Sequence, residues 1–335
     1  MVTQKTIADK LGVSQAAVSI ALTGYKGGRI SQEIKKSIIR EASLLGYEIR
    51  DTSKRKKSRI IALLSVMRDK EETYFSRLLM GVQDIAHESS CIVTPHIVKN
   101  NELPEHLISS IDGIIATDAF LDLGLPKIAN DIPIIFLNTD EQTGRYDTVM
   151  PDNNNGIRKA VRHLYSLGHR KFAFFGIREF IIHDAERYGA YHQIISELNL
   201  PAPDPSWVSI PFRKERTLED VEQKASETLT AIKKMKNRPT AIICSSDLYA
   251  SAFIRLAPVF GFKIPDDISI TGFDDMPDSY GVSPSISTVA QPMEEMGRIA
   301  MRLLYERIDG NDAPPMHLKA DVEWMPRGSI GRPSS

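Results

Sequence analysis

An all-α head followed by a larger α/β body with parallel sheets is the fold class that the 335-residue sequence predicts. Three observations predict it. Two short helical segments near the start are joined by a single glycine and followed by a third. Beyond residue 59, strand-like apolar runs alternate with amphipathic helical stretches, in two successive series. The formal charge divides at the same place, with residues 1–59 at +8 and the remainder at −9. A basic head on an acidic body suggests that the head meets a polyanion.

In the head, Thr3 is placed to cap a helix through Leu11, whose Ile7 and Leu11 share one face. Gly12 ends that helix, as a residue tolerant of the left-handed conformation does. Ser14 then caps a second helix, Gln15 to Leu22, with Ala17, Val18, Ala21 and Leu22 inward. A third helix, Gln32 to Leu45, follows Ser31 and closes the small core with Ile34, Ile38, Ala42 and Leu45. Two short helices joined by a tight glycine turn form the helix–turn–helix that sets its second helix in the major groove of DNA. A plain three-helix bundle is the other reading; the basic charge and the small residues on the second helix weigh against it.

In the body, "RIIALLSV" (59–66) predicts a buried strand, followed by a helix with Phe75, Leu78, Leu79, Val82, Ile85 and Ala86 on one face. "CIVTPHIV", "DGIIAT" and "IPIIFLN" predict further short buried strands, and Ile157, Ala160, Val161 and Leu164 a helix over 154–167. The second series is "KFAFFG", a helix around 184–198, "WVSI", a helix 218–236, "TAIICS", a helix 248–257 and "ISITGFDD". Such alternation predicts parallel sheets covered on both faces, and two series predict two lobes.

Composition narrows the function. Apolar content is 42% and charged content 25%, ordinary for a soluble globular chain. No apolar run reaches the roughly 18 residues of a membrane helix, and no signal peptide is visible. The two cysteines, Cys91 and Cys244, lie beside β-branched residues and read as buried strand positions rather than a disulfide scaffold. A cytoplasmic, reducing location is expected. There is no P-loop, G-x-G-x-x-G, H-E-x-x-H or G-x-S-x-G motif. The eight histidines suggest no metal cluster, and His163 and His169 read as structural. The expectation is a binding protein, not an enzyme, that needs no cofactor.

The segments "TIADKLGVSQAAVSIALTG", "DNNNGIRKAVRHLYSLGHRKFAFFG", "PTAIICSSDLYASAFIRL", "DISITGFDD" and "ISTVAQPMEEMG" resemble, end to end, the LacI/GalR family of transcription regulators. The resemblance implies a periplasmic-binding-protein-like body that closes two lobes on a small molecule and forms a homodimer. It also implies double-stranded operator DNA and a sugar or sugar-like effector as partners. Residues 1–47 would be the DNA-binding head and 48–59 a hinge. The body, 60–335, would divide into an N-lobe of about 60–161 and 292–319 and a C-lobe of about 162–290 and 322–330. The three chain crossings are expected near 161–164, 289–293 and 318–323. A sugar-binding protein whose head no longer binds DNA is the alternative.

On the second helix, Gln15, Ala16, Ser19 and Ile20 face outward. Gln15 can pair bidentately with adenine or remain a solvated polar residue, while Ala16 and Ile20 can pack on thymine methyls. The family usually carries Arg where this chain has Ile20, so the commonest guanine contact is missing. Thr3, Ser14, Ser19, Lys26 and Arg29 are candidates for phosphate contacts, or for caps and surface charges. In the body, the resemblance places effector-binding roles on Arg187 in "ERYGAYHQ" and on Asp274 in "TGFDD". The same two residues could instead form a lobe-bridging salt bridge. Ala190 stands where the family usually has Gly, and Ser246 where it often has Asn. Asp247 is a second effector candidate, or the cap of the following helix. Tyr74 and Phe75 begin the first body helix where relatives line the cleft, with core packing the better reading for Phe75. Phe120 and Phe212 are weaker stacking candidates, and Trp207 reads as core.

The link "EIRDTSKRKKSR" (48–59) lacks the wedge leucine and the alanine-rich pattern usual in the family and is about four residues shorter. It carries Lys54, Arg55, Lys56 and Lys57 in succession. With no apolar face to bury, this run predicts an arm that acts on phosphates or in a narrow minor groove. A merely solvated linker is the other reading.

Overall fold

The computed structural model describes residues 3–23, 31–45, 47, 58–65, 72–89, 91–98, 105–117, 132–139, 144–176, 182–201 and 217–334. The chain divides into two compact units, Met1–Arg59 and Ile60–Ser335.

The first unit holds three helices: α1 (Gln4–Leu11), α2 (Gln15–Thr23) and α3 (Gln32–Leu44). Thr3 and Thr6 cap the start of α1 reciprocally, each backbone N–H donating to the other's hydroxyl at 3.3 Å. Gly12 ends α1 at φ 66°, and Ala17 N donates to Ser14 Oγ at 3.1 Å to cap α2. Ile7, Ala8, Val18, Ala21, Leu22, Ile38 and Ala42 are buried together. Ile34, expected in this core, is 40% exposed. It lies in the first turn of α3, one turn before Ile38, and the buried stripe continues the other way, to Ala42 and the partly buried Leu45.

The second unit begins with β1 (Arg59–Ser65), α4 (Glu72–Glu88), β2 (Cys91–Ile97), α5 (Glu105–Ile108), β3 (Gly113–Thr117), β4 (Ile134–Leu137) and β5 (Asp147–Pro151). There follow α6 (Asn153–Ser166), β6 (Phe172–Phe175), α7 (Ile182–Glu197), α8 (Leu218–Lys234), β7 (Ala241–Cys244) and α9 (Asp247–Leu256). The last elements are β8 (Ser269–Thr271), β9 (Thr288–Ala290), α10 (Met293–Ile308), β10 (His317–Ala320) and β11 (Glu323–Met325).

One sheet runs β10-β5-β4-β3-β1-β2, and a second runs β6-β7-β8 with parallel pairing. Along β1, Ile61 and Leu63 face α4 and α10, while Ala62 and Leu64 face the other layer. In the second sheet Phe172 and Phe174 pack toward α6 and α7, and Ala173 and Phe175 toward α8 and α9. Both sheets are therefore covered on both faces, which explains their continuous apolar runs. β2 departs from the expected buried strand. It is the sheet edge, with Ile92 and Ile97 each 51% exposed, and Cys91 is only partly buried. Cys244 is fully buried, and burial pushes its thiol well up. The "WVSI" strand and Trp207 fall outside the described residues.

The chain passes between the sheets three times. The first passage, expected within 161–164, lies between Pro151 at the end of β5 and Asn153 at the start of α6. Ile157, Ala160, Val161 and Leu164 already belong to the core of the second sheet, so the whole helix lies with that lobe. The second passage joins β9 to α10 through Gln291 and Pro292, and the third joins β10 to β11. The antiparallel pair β9–β11 links these two passages, Val289 opposite Trp324. His169 is buried between Thr240 Oγ1 and the Gly331 carbonyl, each 2.8 Å away, and so fastens the C-terminal segment to the second lobe. His163 lies against the Trp324 ring, with centroids 5.9 Å apart.

Candidate functional site

In the head, the cap at Ser14 turns the first turn of α2 outward, leaving Ser14, Gln15 and Ala16 exposed. Ser19 and Ile20, one turn on, are half-buried. The hydroxyls of Thr3 and Ser14 serve as helix caps. Lys26, Arg29, Lys54, Arg55, Lys56 and Lys57 lie outside the described residues.

In the body, the polar groups gather where β8 and β7 end and α7 begins. Arg187, on the second turn of α7, is 4% exposed. Its Nε donates to Asn153 Oδ1 at 2.8 Å, and its Nη1 donates to the Ser245 carbonyl and lies 3.2 Å from Asp274 Oδ1. The guanidinium carbon sits 3.7 Å over the Phe273 ring. Asp274 follows β8 in a left-handed conformation, φ 115°. Its N–H donates to the Val289 carbonyl at 2.8 Å, and its Oδ1 accepts from Gln291 Nε2 at 2.6 Å. Burial pushes its carboxyl up to about 6, against the pull of Arg187. Arg187 and Asp274 thus come together, but within one lobe, so they do not form the lobe bridge weighed from sequence.

Ser246, not Asp247, caps α9: its Oγ accepts from Tyr249 N at 3.4 Å. Asp247 is the first residue of that helix and is 1% exposed. Its Oδ1 accepts from Thr288 Oγ1 at 2.6 Å and its Oδ2 from Met276 N at 2.8 Å. Both oxygens are thereby turned onto the segments leading to the second passage. Tyr74 and Phe75 stand at the start of α4, and Phe75 is buried in the core of the first lobe. Phe120 and Phe212 lie outside the described residues.

Sequence reasoning missed several polar residues of the same region. Asn153 receives Arg187 and donates to Glu186 Oε2 at 2.7 Å, and Glu186 Oε1 pairs with Lys319 of β10 at 3.0 Å. Asn138 ends β4 in the left-handed region, φ 56°, and is 7% exposed. Asn138 Oδ1, His183 Nδ1, Ser245 Oγ and Gln291 Oε1 are buried without a hydrogen-bond partner among the described residues. The only sequence signal was their position directly after strand runs or at a helix start, where turns and caps are equally expected. Beside the passages, a groove of about 770 Å³ is lined by Arg77, Asp275, Gln291, Pro292 and Trp324 among others. No group of three metal-ligating side chains occurs among the described residues.

Residues 161–330 match the periplasmic binding protein-like domain model. The HTH-type transcriptional repressor MelR of Bacillus subtilis is 26% identical over 348 aligned positions, covering 99% of this chain and 98% of its own. The HTH-type transcriptional repressor CytR of Escherichia coli is 27% identical, covering 98% and 96%. In fold, the chain is similar to the transcriptional regulator CelR–cellobiose complex, with TM-score 0.71, 23% identity and coverage of 98% and 100%. It is also similar to the lac repressor dimer bound to operator and the anti-inducer ONPF, with TM-score 0.67, 18% identity and coverage of 98% and 99%.

Proposed function

Because the chain belongs to the LacI/GalR family of helix–turn–helix regulators with a periplasmic-binding-protein-like body, we propose that it is a cytoplasmic transcriptional repressor. It binds operator DNA as a dimer and is controlled by a carbohydrate held between its lobes. The observation that carries this reading is the pair of buried Arg187 and half-buried Asp274 beside four unpartnered polar atoms, in the same chain as a capped helix whose first turn is exposed.

The chemistry favours hydroxyl groups. Arg187 already faces Asp274, while a carboxylate and a guanidinium side by side can accept from and donate to vicinal hydroxyls. Buried Oδ1 and Oε1 atoms of Asn138 and Gln291 can accept more. Tyr74 stands at the start of α4, where it would offer an aromatic surface to the effector, and Ser246 a short polar one beyond β7. Asp247 acts indirectly, bracing the Met276 and Thr288 segments. In the head, Gln15, Ala16, Ser19 and Ile20 read bases, while Thr3, Ser14, Lys26 and Arg29 approach phosphates. Dimerisation through the first lobe is supported by Met80 of α4 and Ile92 and Ile97 of the edge strand β2, all more than half exposed. A regulator is favoured over an enzyme by the company of its relatives, MelR and CytR, both named as repressors.

The test is selection of bound fragments from the source genome by the full chain, followed by anisotropy of the winning duplex with a panel of free sugars that includes cellobiose and ribose. Selective binding that one sugar changes tenfold or more is the expected result. Equal affinity for selected and random duplexes would end the repressor reading.

A further inference from the structure

Asn153 is the first residue of α6 and is fully buried. Two consecutive residues of α7 grip the two ends of its amide. Arg187 Nε donates to Asn153 Oδ1 at 2.8 Å, and Asn153 Nδ2 donates to Glu186 Oε2 at 2.7 Å. Only one setting of the amide serves both neighbours, its oxygen toward the cation and its nitrogen toward the anion. Glu186 accepts from Lys319 Nζ through its other oxygen, Oε1, at 3.0 Å. On the far side of the guanidinium, Arg187 Nη1 lies 3.2 Å from Asp274 Oδ1, which also accepts from Gln291 Nε2 at 2.6 Å. An unbroken run of polar contacts thus leads from Lys319 through Glu186, Asn153, Arg187 and Asp274 to Gln291.

The run crosses from one lobe to the other. Lys319 lies on β10, in register with Met150 of β5 in the first sheet. Glu186 and Arg187 belong to α7, and Asp274 follows β8, all in the second lobe. Asn153 stands at the first passage, Gln291 in the second, and Lys319 near the end of the strand that leads into the third. The first and third passages are tied side by side, Asp152 N donating to the Ala320 carbonyl at 2.8 Å. An ion pair with a half-exposed lysine contributes little by itself. Here its carboxylate also holds a buried amide, and that amide holds the guanidinium. Each bond in such a run fixes and polarises the next.

We propose that Glu186 and Asn153 are positioning residues of the effector cleft. They form a carboxylate–amide relay that sets the Arg187 guanidinium and makes its setting depend on Lys319 of the opposite lobe. The relay rests on the effector reading above for the role of Arg187, and adds the route by which that residue senses the first lobe. When Lys319 is withdrawn, Glu186 Oε1 turns to water, the bond to Asn153 Nδ2 loosens, and Arg187 Nε loses a fixed acceptor. In the other direction, an effector that orders Arg187 favours the arrangement in which Lys319 reaches Glu186, as reciprocal linkage requires.

The experiment uses the full chain, labelled with ¹⁵N-arginine, with no effector and no DNA. The Nε–H signal of Arg187, identified as the one lost in Arg187→Lys, is followed by NMR, and its hydrogen-exchange rate is measured. Four chains are compared: the wild type, Lys319→Met, Lys319→Arg, and the charge swap Glu186→Lys with Lys319→Glu. The swap restores a plain ion pair but not the relay. An ammonium at position 186 can take only the amide oxygen of Asn153, which turns the amide NH₂ onto Arg187 Nε, donor against donor. The expected result is exchange roughly two- to fivefold faster in Lys319→Met, at the wild-type rate in Lys319→Arg, and at least as fast in the swap as in Lys319→Met. If the swapped chain does not fold, Glu186→Gln takes its place, with acceleration again expected. Equal rates in Lys319→Met and Lys319→Arg, or a wild-type rate in the swap or in Glu186→Gln, overturn the relay and leave Glu186–Lys319 a plain ion pair. No sugar or operator enters this measurement, so failure of the relay leaves the effector reading standing. Failure of the effector reading shows instead in the anisotropy assay, as a panel of sugars without effect.

Discussion

Two of the three guanidinium nitrogens of Arg187 are engaged. Its Nε is held by Asn153, and its Nη1 is shared between the Ser245 carbonyl and Asp274. What this pair retains is the ability to exchange hydrogen bonds with neutral hydroxyls. Removing the guanidinium would leave half-buried Asp274 without its cation and Asn153 Oδ1 without its donor, at about 1–3 kcal/mol per abandoned group. Arg187→Ala should therefore abolish the effector response while operator binding persists; anisotropy with and without sugar checks this, and an unaltered response would remove Arg187 from the site. Asp274→Asn is the sharper variant, because it tests the electrostatics as well. A carboxyl raised to about 6 in the fold and near 3.9 when unfolded stabilises the protein at low pH and loses that contribution as pH rises through about 6. The variant should gain on the wild type by roughly 1–3 kcal/mol at pH 7.5, and the gain should vanish below about pH 4. Thermal melts across that range read it. Arg187 and Asp274 were legible in the sequence because they sit in long, distinctive motifs. Asn138, His183 and Gln291 were not, because a polar residue after a strand or in the first turn of a helix looks the same whether it ends a turn, caps a helix or lies beside a site.

Elements obey a different logic. Much of the strand and helix series was readable from the periods of its apolar residues, and so were the caps at Thr3 and Ser14, whereas β5, α10, β10 and β11 were not read. What periodicity does not carry is which sheet an amphipathic helix covers. The first passage was accordingly misplaced by some ten residues, since α6 shows the same apolar stripe whichever lobe it joins. The edge position of β2 was hidden for a similar reason: its composition is that of a buried strand, and exposure depends on its place in the sheet order. The crossing of α4 and α10 was equally invisible. There a Cβ on Gly297 would lie 2.3 Å from the Leu78 carbonyl, and one on Gly81 would lie 1.8 Å from the Glu294 carbonyl. The forked Arg77–Glu294 pair, at 2.8 and 3.0 Å, fastens the same crossing. Both helices must separate to admit a larger residue. Gly297→Val should cost about 1–3 kcal/mol or more, seen as a lowered denaturation midpoint of the body. A midpoint equal to wild type would mean that the helices do not meet there as described.

At the scale of the whole molecule, the division of charge is the feature that ties head to function. The excess of +8 lies in residues 1–59, and four consecutive cations, Lys54, Arg55, Lys56 and Lys57, sit just before the body begins at Ile60. The wedge leucine usual in the family is absent from this link, and the run from Arg50 to Arg59 holds no apolar side chain that could part a base step and kink the duplex in its place. On the proposed arm, affinity would come from phosphates, and binding to phosphates releases counterions. Such binding weakens steeply with salt and is nearly indifferent to sequence, which the reading helix alone must supply. Replacing Lys54, Arg55, Lys56 and Lys57 by Ser should therefore weaken binding by a similar factor on the selected operator and on random DNA. The plot of log affinity against log salt should flatten by up to roughly 0.9 for each phosphate that the arm no longer neutralises. Gln15→Ala, in contrast, should leave that slope alone and cost about 1–3 kcal/mol on the operator only. If the quadruple variant keeps the wild-type slope, the basic run does not touch DNA and the head binds through its helices alone. If a bending assay on the wild-type complex shows a sharp kink, another side chain has taken the place of the missing leucine.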